Sequence, residues 1–221
     1  MQVQSRIHAL DNLRAIAIIA MAVYHLFFDL HLFGLININL DNQFITLLVT
    51  IFGFIFITLA GVTSSLSRHL FQQSIKLLLF ASLISVVTYL FDSQTMVRFG
   101  ILHLFATLTF FLYIAQHKQL LLPSLFSIIF IAWFFPTQIA TITGFPSVNF
   151  ASLDYYPLVP WGIPFFFGYI FSSYITRIAQ SSLINQKITI ISSIGKYSLL
   201  IYLIHQPIIF TIIFLYSKMQ A

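Results

Sequence analysis

"LDNLRAIAIIAMAVYHLFFDLHLF", residues 10–33, is apolar over the length of a membrane span and yet carries Asp11, Arg14, His25 and Asp29. About 20 apolar residues, rising 1.5 Å each in a helix, cross a hydrocarbon core of about 30 Å. The stretch therefore reads as a transmembrane helix. A turn of ~100° per residue fixes where its polar groups point. Arg14 to His25 is eleven steps, about three turns with roughly 20° left over; Asp29 lies one turn further, and Asp11 falls within about 60° of the same direction. All four share one face. Arg14 and His25 are separated by ~16 Å along the axis, so the stripe runs from one end of the span past its middle. Charged groups at that depth cost at least ~2.5 kcal/mol each on insertion scales and normally face a bundle interior or an aqueous cavity. The stripe should not face lipid.

The rest of the chain repeats the apolar character. Of its residues 59% are hydrophobic and only 7% charged, with a mean hydropathy of +0.97, where soluble domains carry roughly 25% charged residues. So little charge cannot cover a water-soluble surface. The expectation is an all-α polytopic membrane bundle, one domain over residues 1–221, with about seven spans at 10–33, 43–65, 74–91, 98–116, 120–136, 158–176 and 197–216. The first apolar run contains Asp11 and Arg14 and lacks a small-residue cleavage site, so it is expected to stay as a span and not to be a cleaved signal.

A formal charge of +5 would point to nucleic acid in a soluble protein, but here the cations are scattered among separate loops. Arg6, Arg68, Lys76, Lys118, Arg177, Lys187 and Lys196 fall on one side of the expected topology, against Arg98 and Lys218 on the other. The positive-inside rule then puts the N-terminus in the cytoplasm and excludes a polyanion site. There is no cysteine, hence no disulfide, thiolate metal site or Cys nucleophile. The 136–157 segment, with its Pro, Gly and Asn, reads as an outer loop and not a span. The stretch from Ser181 to Ile194, with "LINQKITIISSIG", is too polar to cross and is expected to lie along the cytoplasmic interface.

Other polar groups lie in or beside the spans. Arg98 and His103 open the fourth span in "RFGILHLFA", five steps apart and so in different directions. Asp154 precedes the sixth in "DYYPLVPWGIPFFFG", whose three prolines break the helix and free backbone groups that need partners. Tyr155, Tyr156 and Trp161 there read as an aromatic belt. In "GKYSLLIYLIHQP", Pro207 removes a backbone donor two residues after His205, where a kink is expected.

Taken in order, "LDNLRAIAIIAMAVYH", "FGILH", "DYYPLVPW" and "GKYSLLIYLIHQP" resemble the bacterial members of the heparan-α-glucosaminide N-acetyltransferase catalytic-domain-like family, from about Leu10 to Pro207. Arg14 and His25 match the first motif, His103 the second, Asp154 and Trp161 the third and His205 the last. Ala15 departs from the pattern, standing where a glycine is usual. The resemblance implies a membrane acetyl- or acyltransferase using cytoplasmic acyl-CoA as co-substrate, with no tightly bound cofactor and no metal, to modify a sugar or glycan at the opposite face of a bacterial cytoplasmic membrane. Homo-oligomerisation is left open.

Acyl transfer from a thioester needs a base for the acceptor and stabilisation of the oxyanion. His25 suits the base, with Asp29 one turn on to set its tautomer. Arg14 would bind the CoA end, and Arg98, His103, Asp154, Trp161 and His205 the substrates. Two other classes compete: a haem carrier using His25, His103 and His205 as axial ligands, and a small permease using the stripe and broken sixth helix as a path. The first explains neither Arg14 nor Asp29, and the second lacks internal symmetry.

Overall fold

The computed structural model describes residues 6–40, 42–117, 134–181 and 184–220. Among them the chain is all-α: α1 His8–Leu32, α2 Gln43–Leu66, α3 Leu70–Phe91, α4 Ile101–Gln116, α5 Pro136–Thr143, α6 Leu158–Ile170, α7 Ser172–Ala179, α8 Thr189–Lys196 and α9 Ser198–Gln220. Four helices, α1, α2, α3 and α9, are long and apolar enough to cross a membrane, and α6 with α7 counts as a fifth if the broken pair is one span. At 1.5 Å per residue the sixteen residues of α4 reach only about 24 Å, short of a full hydrocarbon core. The expected span at 120–136 falls almost wholly outside the described residues.

Contacts group the chain into two compact units, Met1–Val62 with Ile170–Ala221, and Thr63–Tyr169. In the first, α1 packs along α8 and α9. Its exposed apolar residues, Leu13, Ile16, Ile19, Val23, Leu26 and Phe27, recur at helical spacing. This stripe suits lipid. The buried residues Asp11, Ala15, Ile18 and Asp29 form the opposite face, so the polar stripe is turned inward, as the cost of exposing charge to hydrocarbon demands. Ala15 is fully buried, so its methyl is accommodated where the family pattern has none. Along α9 the exposed apolar positions Leu200, Ile204, Ile208 and Ile212 recur every fourth residue while His205 and Ile213 are buried. Pro207 sits inside α9 without ending it. A cluster of Ile7, Leu10, Leu59, Val62 and Ala179 ties the start of α1 to α2 and α7.

Residues 184–195 pack against the start of α1. Asn185 Oδ1 accepts from the Ala9 amide at 3.2 Å, capping α1 from a distant part of the sequence, and Asn12 is held by the Gln186 carbonyl at 3.0 Å and by the Ser192 hydroxyl at 2.7 Å. Gly195 makes this possible: a Cβ there would run into the Asp11 carbonyl.

In the second unit α4 is buried nearly all round, through Ile101, Leu104, Phe105, Leu108, Thr109 and Leu112. It packs against α3, where Ser74 Oγ donates to the Ala106 carbonyl at 3.0 Å. Phe165 of α6 stands 6.4 Å from Phe105, ring to ring. The expected break appears at one proline only: Val159 is non-helical and the Val159–Pro160 bond is cis, whereas Pro164 is taken into α6 without ending it. The 136–157 segment holds only the short α5, begun by Pro136 and stopped at Gly144, whose φ of 114° favours glycine.

Candidate active site

The candidate residues fall into three groups, two in the first unit and one in the second. At the start of α1 the Asp11 carboxylate, buried, accepts from Arg14 Nη1 at 3.0 Å and from Arg6 Nε at 2.6 Å. Two guanidinium groups share one carboxylate, leaving one net positive charge. The hydrogen bond to Asp11 also raises the Arg6 pKa above its ordinary value. Arg14 is held in place by a single i,i+3 bond, and its side chain is 18% exposed. Its remaining donors meet no protein acceptor among the described residues, which leaves a fixed cation able to meet an anion.

Further along the same face lies the second group. The His25 ring is 5.2 Å from the His205 ring of α9, centroid to centroid, and 5.8 Å from Tyr24. Asp29 was expected to orient His25. Instead both of its oxygens accept from Gln206 Nε2 at 3.1 Å, and no hydrogen bond joins Asp29 to His25. The carboxylate is 1% exposed, and this bond to the neighbouring helix offsets part of its burial cost. His205 Nδ1 lies 2.8 Å from the Tyr202 carbonyl and 3.2 Å from that of Ile201. Two acceptors, His205 Nε2 and Gln206 Oε1, are buried without a partner among the described residues. Gln206, absent from the residues singled out by charge and family pattern, carries its own signal in the sequence, an amide inside an apolar span.

The third group sits where the 95–100 segment runs beside 152–156. Asp154 Oδ2 accepts from the Ile101 amide at 3.1 Å, a carboxylate at the positive end of α4. His103 Nδ1 accepts from the Gly100 amide at 3.2 Å, so Nδ1 carries no proton and Nε2–H is left to donate to Ser85 Oγ at 3.3 Å. Ser85 passes its own proton to the Val97 carbonyl at 2.6 Å. Both ring nitrogens of His103 are thus engaged in holding the entry to α4. Gly100 has no room for a Cβ beside Asp154. Ser152 Oγ accepts from the Arg98 amide at 3.3 Å and donates to the Met96 carbonyl at 3.1 Å. That leaves the exposed Arg98 side chain free to lie 5.5 Å from the Phe150 ring. Trp161 stands 4.9 Å from Tyr156. The Tyr155 hydroxyl donates to the Thr141 carbonyl at 2.6 Å, and burial raises the pKa of that phenol. Among the described residues no three His, Asp or Glu side chains gather as a metal site would require.

The family model described as heparan-α-glucosaminide N-acetyltransferase, catalytic, matches residues 6–207. No curated protein and no solved structure gives a significant match to the chain.

Proposed function

The chain belongs to the heparan-α-glucosaminide N-acetyltransferase catalytic family, a family of membrane acetyltransferases, and on that basis we propose that it moves an acetyl group from cytoplasmic acyl-CoA to a sugar or glycan at the outer face of a bacterial cytoplasmic membrane. The observation that carries the reading is the buried face of α1, with a fixed cation at one end and a histidine paired with a second histidine further in.

On this reading Arg14 binds a phosphate or the pantetheine arm of CoA, its orientation set by Asp11. His25 is the base that takes the acceptor's proton as nitrogen or oxygen attacks the thioester carbon. Asp29, clamped by Gln206, holds α1 against α9 and keeps negative charge near the imidazolium that forms. Within the second unit, Arg98 offers charge and Trp161 a stacking face, both suited to a sugar. Asp154 and His103 shape the loop that carries Arg98. The charge distribution over the loops supports a cytoplasmic N-terminus, with Arg14 on the side where acyl-CoA is found.

The test is incubation of the purified full chain with labelled acetyl-CoA and amino sugars or envelope glycans, followed by mass spectrometry. Acetylated product formed only with protein present is expected; acetyl-CoA left intact with every acceptor would overturn the reading. For Arg14→Ala the expected outcome is at least tenfold weaker acetyl-CoA binding, read by calorimetry. An unchanged Kd would remove Arg14 from the site.

A further inference from the structure

We propose that His205 is the proton-accepting partner of His25. The proposal rests on the transferase reading and names how the proton moves within that site.

Hydrogen-bond accounting carries it. A backbone carbonyl can only accept, so the contact of 2.8 Å between His205 Nδ1 and the Tyr202 carbonyl requires a proton on Nδ1. The Ile201 carbonyl at 3.2 Å shares that donor. A neutral imidazole carries one N–H, so the lone pair is on Nε2. That atom is buried, in a residue 8% exposed, and meets no donor among the described residues. Its ring faces His25 at 5.2 Å. The tautomer that would make His205 useless as a base, with the proton on Nε2, is the one the Tyr202 carbonyl disfavours.

Asp29 makes no hydrogen bond to His25; its carboxylate is turned instead to Gln206 Nε2 on α9. Gln206 follows His205 in the chain, so the clamp fixes the rotation of α9 and with it the face on which His205 emerges. The other titratable groups facing the pair are Asp29 and Tyr24 on α1 and Tyr202 on α9, whose ring is 5.7 Å from His205. None offers an unprotonated nitrogen.

In the step, the acceptor's nitrogen or oxygen attacks the thioester carbon. A C–N or C–O bond forms, and the C–S bond breaks as the tetrahedral intermediate collapses. The acceptor's proton passes to one ring nitrogen of His25; the two histidine rings, 5.2 Å apart and sharing no hydrogen bond here, must turn into contact for the proton on its other nitrogen to pass to His205 Nε2. CoA leaves as the thiolate, which recovers a proton by the reverse route. His205 is a positioning and relay residue acting through His25, not a group that touches substrate.

Two measurements on the full chain in detergent test this. In wild-type protein with ¹⁵N-labelled histidine, the His205 resonances, identified by their loss in His205→Gln, are expected to show a protonated Nδ1 and a bare Nε2. Nε2 protonated and Nδ1 bare would overturn the proposal whatever the activity. His205→Asn keeps an N–H that can donate to the Tyr202 carbonyl but has no Nε2 lone pair. It is expected to lower kcat by roughly 100-fold with KM for acetyl-CoA within about threefold, and to shift the acid limb of the kcat profile from its wild-type position. Wild-type kcat and pH profile in a folded His205→Asn protein would overturn the proposal; should that variant not fold, His205→Gln is read in the same way. Wild-type protein that consumes no acetyl-CoA would overturn the transferase reading instead, while the tautomer is still decided by the resonances.

Discussion

Asp29 shows what one-dimensional spacing can and cannot say. One turn beyond His25 on the same face, it was placed correctly on α1 and on the buried side, where it is 1% exposed. Its partner, however, is Gln206 on α9. Helical periodicity gives the direction of a side chain but not which residue of another helix stands opposite. The same limit applies to His103: its place at the opening of the fourth span was legible, but its capping of Gly100 and its bond to Ser85 depend on a fold of the 95–100 segment that no periodicity encodes. Gly100 offers the sharpest test at this scale. A Cβ would fall on the Asp154 carboxylate and 2.9 Å from Val97 Cγ1. Gly100→Ala should therefore cost about 1–3 kcal/mol, either by strain or by pushing Asp154 off the Ile101 amide. A lowered thermal midpoint in detergent is expected, and an unchanged one would contradict the cap.

Among the elements, those that could be read in advance were the long apolar ones. α1, α2 and α9 begin and end within a few residues of the expected 10–33, 43–65 and 197–216, because a long uninterrupted apolar run has few other ways to satisfy its backbone in a membrane. The proline-broken start of α6 was also legible, since proline removes a donor wherever it falls. The 183–195 segment was not. Its polarity excluded a span, but that Asn185 caps α1 and that Gly195 admits the Asp11 carbonyl are contacts between residues far apart in sequence. Gly195→Ala is expected to force α8 away from α1 and shift Asp11, the residue that orients Arg14. The variant should both melt earlier and bind acetyl-CoA several-fold more weakly. Earlier melting with unchanged binding would separate the helix contact from the cation site.

For the whole molecule, composition decided the class before any residue was assigned. With 7% charged residues, the chain is an integral membrane protein of the acetyltransferase family its sequence matches over residues 6–207. Family likeness, not composition, is what turns an inward polar stripe into an acyl-transfer site. The proposed orientation can be checked on the natural cysteine-free background. Ser147→Cys in the 136–157 segment is expected to react with an impermeant maleimide on intact cells, and Ser181→Cys only after permeabilisation; the reverse pattern would contradict a cytoplasmic N-terminus. The central claim is that the buried face of α1 performs the transfer, and it is tested most directly by the rate at which folded His25→Ala protein moves labelled acetyl from acetyl-CoA to an acceptor used by the wild type. The account predicts a rate at least 100-fold below wild type with the protein still folded; transfer at the wild-type rate would contradict it.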